Sequence, residues 1–186
     1  MICRTLAYCF ILVTMSLSSL AQKRYVYYFD DKLKYTQKSK SVYTGYGVMD
    51  NDLLLLQILD NKTNQKIVHA YYTDSSLVIS QGLYLTYSKN GIKEIEGNYD
   101  NNLEEGVWKK WNEARQLIDS SVYSKGVKAI TVTFKYDKKG KQNYYDITDI
   151  KNDKKQVFVY NDSGKLVREI NFIGQNGTIK NLMLME

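Results

Sequence analysis

The chain has 186 residues, with no proline, one histidine and two cysteines. Both cysteines, Cys3 and Cys9, lie within the first 21 residues, so residues 22–186 contain no thiol. Disulfides, thiolate metal sites and thiol catalysis are therefore excluded for that part of the chain. It must be stabilised by its own hydrophobic core, and its length is sufficient for one.

The sequence also lacks a Ser/Gly-rich linker and any low-complexity block. Nothing therefore marks a hinge between independent domains, and one continuous body is predicted. Proline on an edge strand prevents that strand from pairing with another chain. This sequence has no proline, so charged side chains must prevent such pairing.

Few side chains are of the types that catalyse reactions or bind metals. His69 stands beside Val68 in an apolar stretch with no second metal ligand nearby, which favours a histidine of the core or an interface. Glu94 and Glu96 flank Ile95 on one strand face and are a candidate acid/base pair, although such a pair is more often simply solvated. The glycine motifs are interpreted as hairpin turns rather than phosphate loops. We predict no catalytic residue, no cofactor and no metal, and hence a non-enzymatic protein.

The N-terminal segment indicates export. Arg4 precedes the apolar run Leu6–Val13, and Ser19-Leu20-Ala21 places small residues before Gln22. This pattern predicts a signal peptide over residues 1–21, because the run is too short to span a membrane. A retained N-terminal anchor is the alternative. Residues 22–186 contain no second apolar segment long enough to span a membrane, and the predicted location is the periplasm or the cell surface.

The formal net charge is +6. Most lysines fall in predicted turns, where they favour solubility and protect sheet edges rather than form a polyanion site. Aromatic residues interleave with lysines as on single-strand nucleic-acid platforms. An exported protein rarely meets that ligand, so no nucleic-acid partner is predicted.

Strand patterns run through the chain, and no stretch has a helical period. Residues 130–136 alternate apolar with polar side chains, whereas Leu53–Leu56 predicts a strand buried on both faces. Lys89-Asn90-Gly91 predicts a hairpin turn, and Lys138–Gly140 and Asp162–Gly164 occupy equivalent places.

The most informative pattern is a repeat of 24 residues. Gly82-Leu-Tyr84-Leu-Thr-Tyr87 recurs as Gly106-Val-Trp108-Lys-Lys-Trp111, and the residues 136–140 recur as 160–164. A fixed period of this length indicates stacked units that bury one another's faces. We therefore predict an all-β fold, a continuous antiparallel sheet of stacked β-hairpin repeats with a period of about 24. Residues 22–80 form a β-rich region that precedes the repeat array of residues 81–186.

The segment from Gly82 to Gly126 resembles the MORN-type repeats of bacterial proteins of the YwqK kind, often labelled toxin–antitoxin components, in an exported Bacteroidetes-like form. Residues 136–141 and 160–166 are closer to the YD-type hairpin repeats of secreted wall proteins. The residues that carry the resemblance are Gly82, Tyr84, Tyr87, Gly91, Gly97 and Tyr99 in the first copy, and Glu105, Gly106, Trp108, Trp111, Tyr123 and Gly126 in the second. The second copy departs at Arg115, where the turn glycine belongs, and at Ser121. The resemblance implies a MORN-like fold, but no common chemistry comes with it.

The repeated aromatic residues predict both a core and a surface. Tyr84, Tyr99, Trp108 and Tyr123 are expected to pack neighbouring hairpins together. Tyr87 and Trp111 lie near turns and form the candidate interaction surface.

We expect a binding or scaffolding module of the cell envelope, with a protein or an envelope glycan as its partner. The alternative is an antitoxin-like or immunity factor that neutralises a partner toxin. An enzyme acting on envelope polysaccharide is a third alternative, and it would require Glu94 and Glu96 beside an aromatic groove.

Overall fold

The computed structural model describes residues 22–181 and contains thirteen strands and one short 3-10 turn, Lys38–Lys40. The strands are β1 (Arg24–Phe29), β2 (Tyr43–Asp50), β3 (Leu53–Asp60), β4 (Lys66–Tyr72), β5 (Ser80–Tyr87), β6 (Lys93–Asp100), β7 (Leu103–Trp111), β8 (Leu117–Ser124), β9 (Val127–Tyr136), β10 (Gln142–Asp149), β11 (Lys154–Tyr160), β12 (Leu166–Ile173) and β13 (Asn176–Asn181).

All thirteen strands form one antiparallel sheet in which each strand pairs with the next strand along the chain. The sheet is open, with β1 and β13 at its edges. The predicted all-β fold of consecutive hairpins is confirmed. Pairing of β4 with β5 carries the sheet without interruption across residue 80, where the predicted repeat array begins.

Turns of two kinds alternate along the sheet and produce the period of 24. One margin carries the long turns that begin at Ser88, Asn112, Asp137 and Asn161, each closed by two backbone hydrogen bonds. The opposite margin carries tight turns, such as Asn101-Asn102 and Lys125-Gly126, with both residues at positive φ. Such turns match the twist of the paired strands.

Each of the four long turns needs one residue in the left-handed region. Gly91, Gly140 and Gly164 supply it at φ of 72°, 79° and 85°. Arg115 supplies it at 63° in the remaining turn. The repeat geometry therefore survives the loss of its glycine, at the cost of placing a Cβ atom in a region that L-residues disfavour.

Two glycines of the repeat do not mark turns, which corrects the sequence interpretation. Gly82 and Gly106 lie inside β5 and β7 at φ of 85° and 69°. Each accompanies a register shift against the preceding strand, as expected for a β-bulge. Gly97 has a different role, since a Cβ atom there would lie 2.1 Å from Cδ2 of Trp108. Its missing side chain makes room for the indole.

The two faces of the sheet differ, and the core face is defined by one row of cross-strand partners. That row runs through Tyr27, Gly45, Ile58, Val68, Thr86, Ile95, Lys110, Asp119, Thr133, Asp146, Val157, Ile170 and Ile179. We call the opposite side the outer face.

The N-terminal part of the core face holds the hydrophobic core. Its buried residues are Phe29, Tyr43, Leu56, Ile58, Val68 and Ala70. The connections 30–42 and 73–79 lie against it, with Leu77 packed on the cluster and the Tyr27 hydroxyl donating to the Ser75 carbonyl at 2.9 Å. This part of the sheet therefore has a cover made from its own loops.

The apolar strand β3 is buried on one face only. Leu54 and Leu56 are almost fully buried, whereas Leu53 and Leu55 are half-buried. The prediction of a strand buried on both faces is therefore wrong. A single-layer sheet has no second layer to cover the outer side of β3.

The aromatic residues of the repeat pack together, as the sequence predicts. Trp108 is only 5% exposed, and its ring centroid lies 4.9 Å from that of Tyr99, 6.1 Å from that of Tyr84 and 6.3 Å from that of Tyr123. Its Nε1 is buried without a hydrogen-bond partner among the described residues. Packing alone thus holds this ring, which joins β5 to β8.

Candidate functional site

The C-terminal part of the core face carries polar as well as apolar side chains, and no long connection among the described residues covers it. Where the row carries Ile58 and Val68 near the N-terminus, it carries Asp119, Thr133 and Asp146 further on. From β5 to β13 only short turns join the described strands, so no long connection lies over this region. Polar side chains here therefore face one another, solvent or a ligand.

Asp146 is the centre of this region. It is 6% exposed, and its Oδ2 accepts a hydrogen bond of 2.8 Å from the Tyr144 hydroxyl. Lys155 Nζ lies 3.4 Å from the same oxygen, while Oδ1 has a weak contact of 3.5 Å with the Thr148 hydroxyl. Burial, followed by the hydrogen bond to Asp146, raises the pKa of Tyr144 to about 12. The phenol therefore stays a neutral donor, and Oδ1 keeps acceptor capacity.

Asp119 forms a second carboxylate centre in the same row. Its oxygens accept hydrogen bonds from Ser121 at 2.8 Å and from Thr131 at 3.2 Å. Ser121 is 1% exposed, and its Oγ is in close contact with Oγ1 of Thr131. Thr133 separates the two carboxylates by pairing with Asp119 on one side and Asp146 on the other.

A groove of about 670 Å³ opens beside Asp146 on this face. The residues that define this core-face groove are Tyr144, Thr148, Lys155, Val157, Ile170 and Phe172. Its volume falls within the range of small-molecule sites. The groove combines an apolar floor with a phenol, a hydroxyl and an ammonium group, so it can contact a ligand that is both apolar and polar.

Phe172 is the aromatic residue of the groove. Its ring lies against Gly177 of the neighbouring strand, where a Cβ atom would meet Cε1 at 2.7 Å. This arrangement repeats that of Trp108 over Gly97. Trp108 has three ring partners, whereas no ring pair within the described residues involves Phe172.

The outer face of the same strands carries a different aromatic group. Tyr145 stacks on Phe158 with centroids 4.6 Å apart and lies 5.9 Å from Tyr160 and 6.3 Å from Phe134. A hydrogen bond to Tyr160, followed by burial, raises the pKa of Tyr145 to about 12. These rings hold β9, β10 and β11 together from the side opposite to the groove.

The predicted interaction residues Tyr87 and Trp111 lie on the outer face, near the long turns. Both are half-buried. Lys93 connects them, because it pairs with Tyr87 in the ladder and places its Nζ 4.2 Å from the centroid of Trp111. One face of the indole is therefore occupied by a lysine, and the pair lies on the opposite face of the sheet from the groove.

The predicted carboxylate pair is not symmetric. Glu96 forms an ion pair with Lys93, whereas Glu94 is exposed beside a register shift.

His69 lies on the outer face, 3.5 Å from the Gln57 amide and edge-on to Tyr71 with ring centroids 5.6 Å apart. Burial, with a smaller effect from Lys66, lowers the pKa of His69.

Among residues 22–181 there is no group of three or more acidic, histidine or cysteine side chains arranged to hold a metal ion. In the same range, no helix has the length and apolar character needed to cross a membrane. The predicted signal peptide lies outside the described residues.

The sequence matches no protein-family model and no curated protein. Among solved structures, a GtfA/B complex bound to UDP and GlcNAc aligns with 80% of this chain at 8% identity and a TM-score of 0.28. The chain covers 27% of that protein, about a quarter of its length. A likeness at that TM-score carries no argument about function.

The groove was not predicted from the sequence. Its one visible signal is the alternation Tyr144-x-Asp146-x-Thr148, which places three polar side chains on one face of β10. A strand with a polar face is usually a solvated strand, so this signal does not distinguish a binding face from an ordinary surface. Only the pairing with β11 and β12 brings Lys155 and Phe172 beside it.

Proposed function

We propose that this protein is a non-enzymatic, exported repeat protein of the MORN-like kind, and that it acts as a binding module in the cell envelope. The observation that carries the proposal is the uncovered C-terminal part of the core face with its groove of about 670 Å³. Most of the chain builds the sheet, and this region of it presents polar and apolar groups together. Such a combination is typical of ligand sites.

The hydrogen bonds of the carboxylates favour binding over catalysis. Asp119 accepts from two hydroxyl groups, and Asp146 accepts from Tyr144 and contacts Lys155. These contacts hold both carboxylates in fixed positions, which suits groups that orient a bound ligand rather than groups that move a proton.

The proposal is tested by photo-crosslinking at two adjacent residues whose side chains lie on opposite faces of the sheet. A photoreactive amino acid replaces Thr133 on the core face in one variant and Val132 on the outer face in the other. Both proteins are produced in the native host, and adducts in the envelope fraction are identified by mass spectrometry. We expect an envelope adduct from position 133 and little from position 132.

Equal crosslinking at both positions, or none at either, would overturn this assignment of the binding face. An adduct with a toxin polypeptide encoded beside this gene would instead establish the antitoxin-like alternative. Recovery of the protein with an intact Met1 from the cytoplasm would contradict export, whereas N-terminal sequencing that begins at Gln22 would support it.

A further inference from the structure

We propose that the core-face groove binds a neutral oligosaccharide. This inference rests on the proposed binding function and names its ligand class. It comes from three features of the groove, which are an open aromatic ring, neighbouring hydrogen-bond donors and acceptors, and a lysine that already forms an ion pair with a buried carboxylate.

The first feature is the ring of Phe172. The glycine beneath it lets the ring lie against β13, as Gly97 lets Trp108 lie against β6. In the Trp108 cluster, Tyr84, Tyr99 and Tyr123 occupy the space around the indole. Phe172 instead lines the groove. The face of a sugar ring that carries C–H bonds suits this position, because those bonds are attracted to the negative face of an aromatic ring.

The second feature is the mixture of polar groups close to that ring. Lys155 is the cross-strand partner of Phe172 and can donate hydrogen bonds, while the exposed carboxylate of Asp153, which also lines the groove, can accept them. The Thr148 hydroxyl, next to Lys155 in the ladder, can do both. Sugar hydroxyls also donate and accept, so they can satisfy all of these groups together.

The third feature is charge. Asp153, Lys154, Lys155 and Arg168 line the groove. Buried Asp146 lies beside it, next to Lys155. The nearest opposite charges, Asp146 and Lys155, already form an ion pair of 3.4 Å. An anionic ligand would have to compete with buried Asp146 for Lys155, and a cationic ligand would meet Lys155 itself. A neutral ligand avoids the cost of breaking a partly buried ion pair.

The extent of the groove sets the size of the ligand. Its polar and aromatic ends, Tyr144 and Phe172, stand on strands β10 and β12. Two strand spacings correspond to about 10 Å. That length exceeds one sugar ring, so we infer that the groove holds at least two linked units.

The experiment is a calorimetric and NMR titration of the purified protein with cellotetraose, mannotetraose and chitotetraose, which are neutral. A tetragalacturonate serves as the acidic comparison. We expect at least one neutral oligosaccharide to bind and the acidic one to bind at least tenfold more weakly. Phe172→Ala should raise the Kd of the neutral ligand about tenfold, because it removes the stacking surface.

The matched control is Ile173→Ala, which changes the adjacent residue on the outer face and should leave the Kd unchanged. Ile173 is 65% exposed, so this variant should fold normally. Lys155→Met tests the polar contacts separately, and it should weaken binding while retaining the volume of the side chain.

Failure of the ligand class can be distinguished from failure of the binding function. If no neutral oligosaccharide binds while position 133 still crosslinks to an envelope component, the sugar proposal is wrong and the binding module stands. Tighter binding of tetragalacturonate would also overturn the proposal. Neutral-sugar binding that survives Phe172→Ala unchanged would place the site elsewhere on the molecule.

Discussion

The N-terminal and C-terminal parts of the core face have the same backbone arrangement but differ in side chains and in cover. In one continuous row, Ile58 and Val68 are buried beneath the loops 30–42 and 73–79, whereas Thr133 and Asp146 lie where no long connection covers the described sheet. The repeated backbone therefore does not determine whether a face is buried or accessible. That depends on the side chains at equivalent positions and on the length of the connections between strands.

Under the proposed function, this difference separates stability from binding along one sheet. Burial of apolar surface in the N-terminal part supplies the main stabilising energy. The C-terminal part is held by its ladder, by the outer-face stack around Tyr145 and by polar contacts. It can therefore present a groove without disturbing the core.

The largest effect is expected at the junction of the two parts. Trp108→Ala should lower the free energy of unfolding by about 3–5 kcal/mol, because the buried ring joins four strands and leaves a cavity. Urea denaturation measures this change. Val107→Ala is the control, since Val107 is 47% exposed on the outer face and should cost little. A loss below about 0.5 kcal/mol for Trp108→Ala would place the ring outside the core.

A direct comparison of the two parts uses the same residue type in the same row. Ile58→Ala should cost about 2–5 kcal/mol, because Ile58 belongs to the covered core. Ile170→Ala should cost about 1 kcal/mol, because Ile170 is half-buried at the floor of the groove. Equal losses in urea denaturation would mean that the C-terminal part has a core of its own.

The strain at Arg115 predicts a smaller, stabilising change. Arg115→Gly should raise the free energy of unfolding by about 0.5–1 kcal/mol, since relief of the left-handed conformation exceeds the added entropy of the unfolded chain. Glu113→Gly in the same turn is the matched control and should not stabilise, because Glu113 is not in the left-handed region. A destabilised Arg115→Gly protein would show that the arginine side chain contributes contacts worth more than the strain.

The smallest expected effect concerns pH. Burial lowers the pKa of His69 in the folded protein below its ordinary value of 6.5, so the unfolded chain binds the proton more readily. Stability should therefore fall as the pH is lowered from 7.5 through 6.5 to 5.5. His69→Gln should reduce this slope in denaturation midpoints. An unchanged slope would assign the pH dependence to other groups.

The sequence predicted the architecture because its signals are local. Asn90-Gly91 and the repeated aromatic residues each act within one hairpin, and the period of 24 extends them along the chain. The sequence also shows that Arg115 replaces the turn glycine of the repeat. Only the structure shows that the turn is retained there.

The groove could not be predicted from the sequence, because its residues come together only through the pairing register of several strands. Asp119 and Asp146 are 27 residues apart and fall in one row only after the pairings of β8 with β9 and β9 with β10 are known. A shift of one residue would move either side chain to the other face. Bulges near the turns supply such shifts, and alternation alone does not reveal them. The placement of Phe172 over Gly177 likewise depends on the pairing of β12 with β13.

The central claim, that the C-terminal part of the core face is open and binds while the N-terminal part is covered by its own loops, is tested most directly by cysteine labelling. Residues 22–186 have no cysteine, so Thr133→Cys and Val68→Cys each introduce a single thiol once Cys3 and Cys9 are replaced by serine. The measurement is the rate of maleimide labelling of the folded protein, with and without its isolated envelope fraction. We predict rapid labelling at position 133 that the envelope fraction slows, and labelling at position 68 only on unfolding. Equal rates at the two positions, or no protection at position 133, would contradict the account.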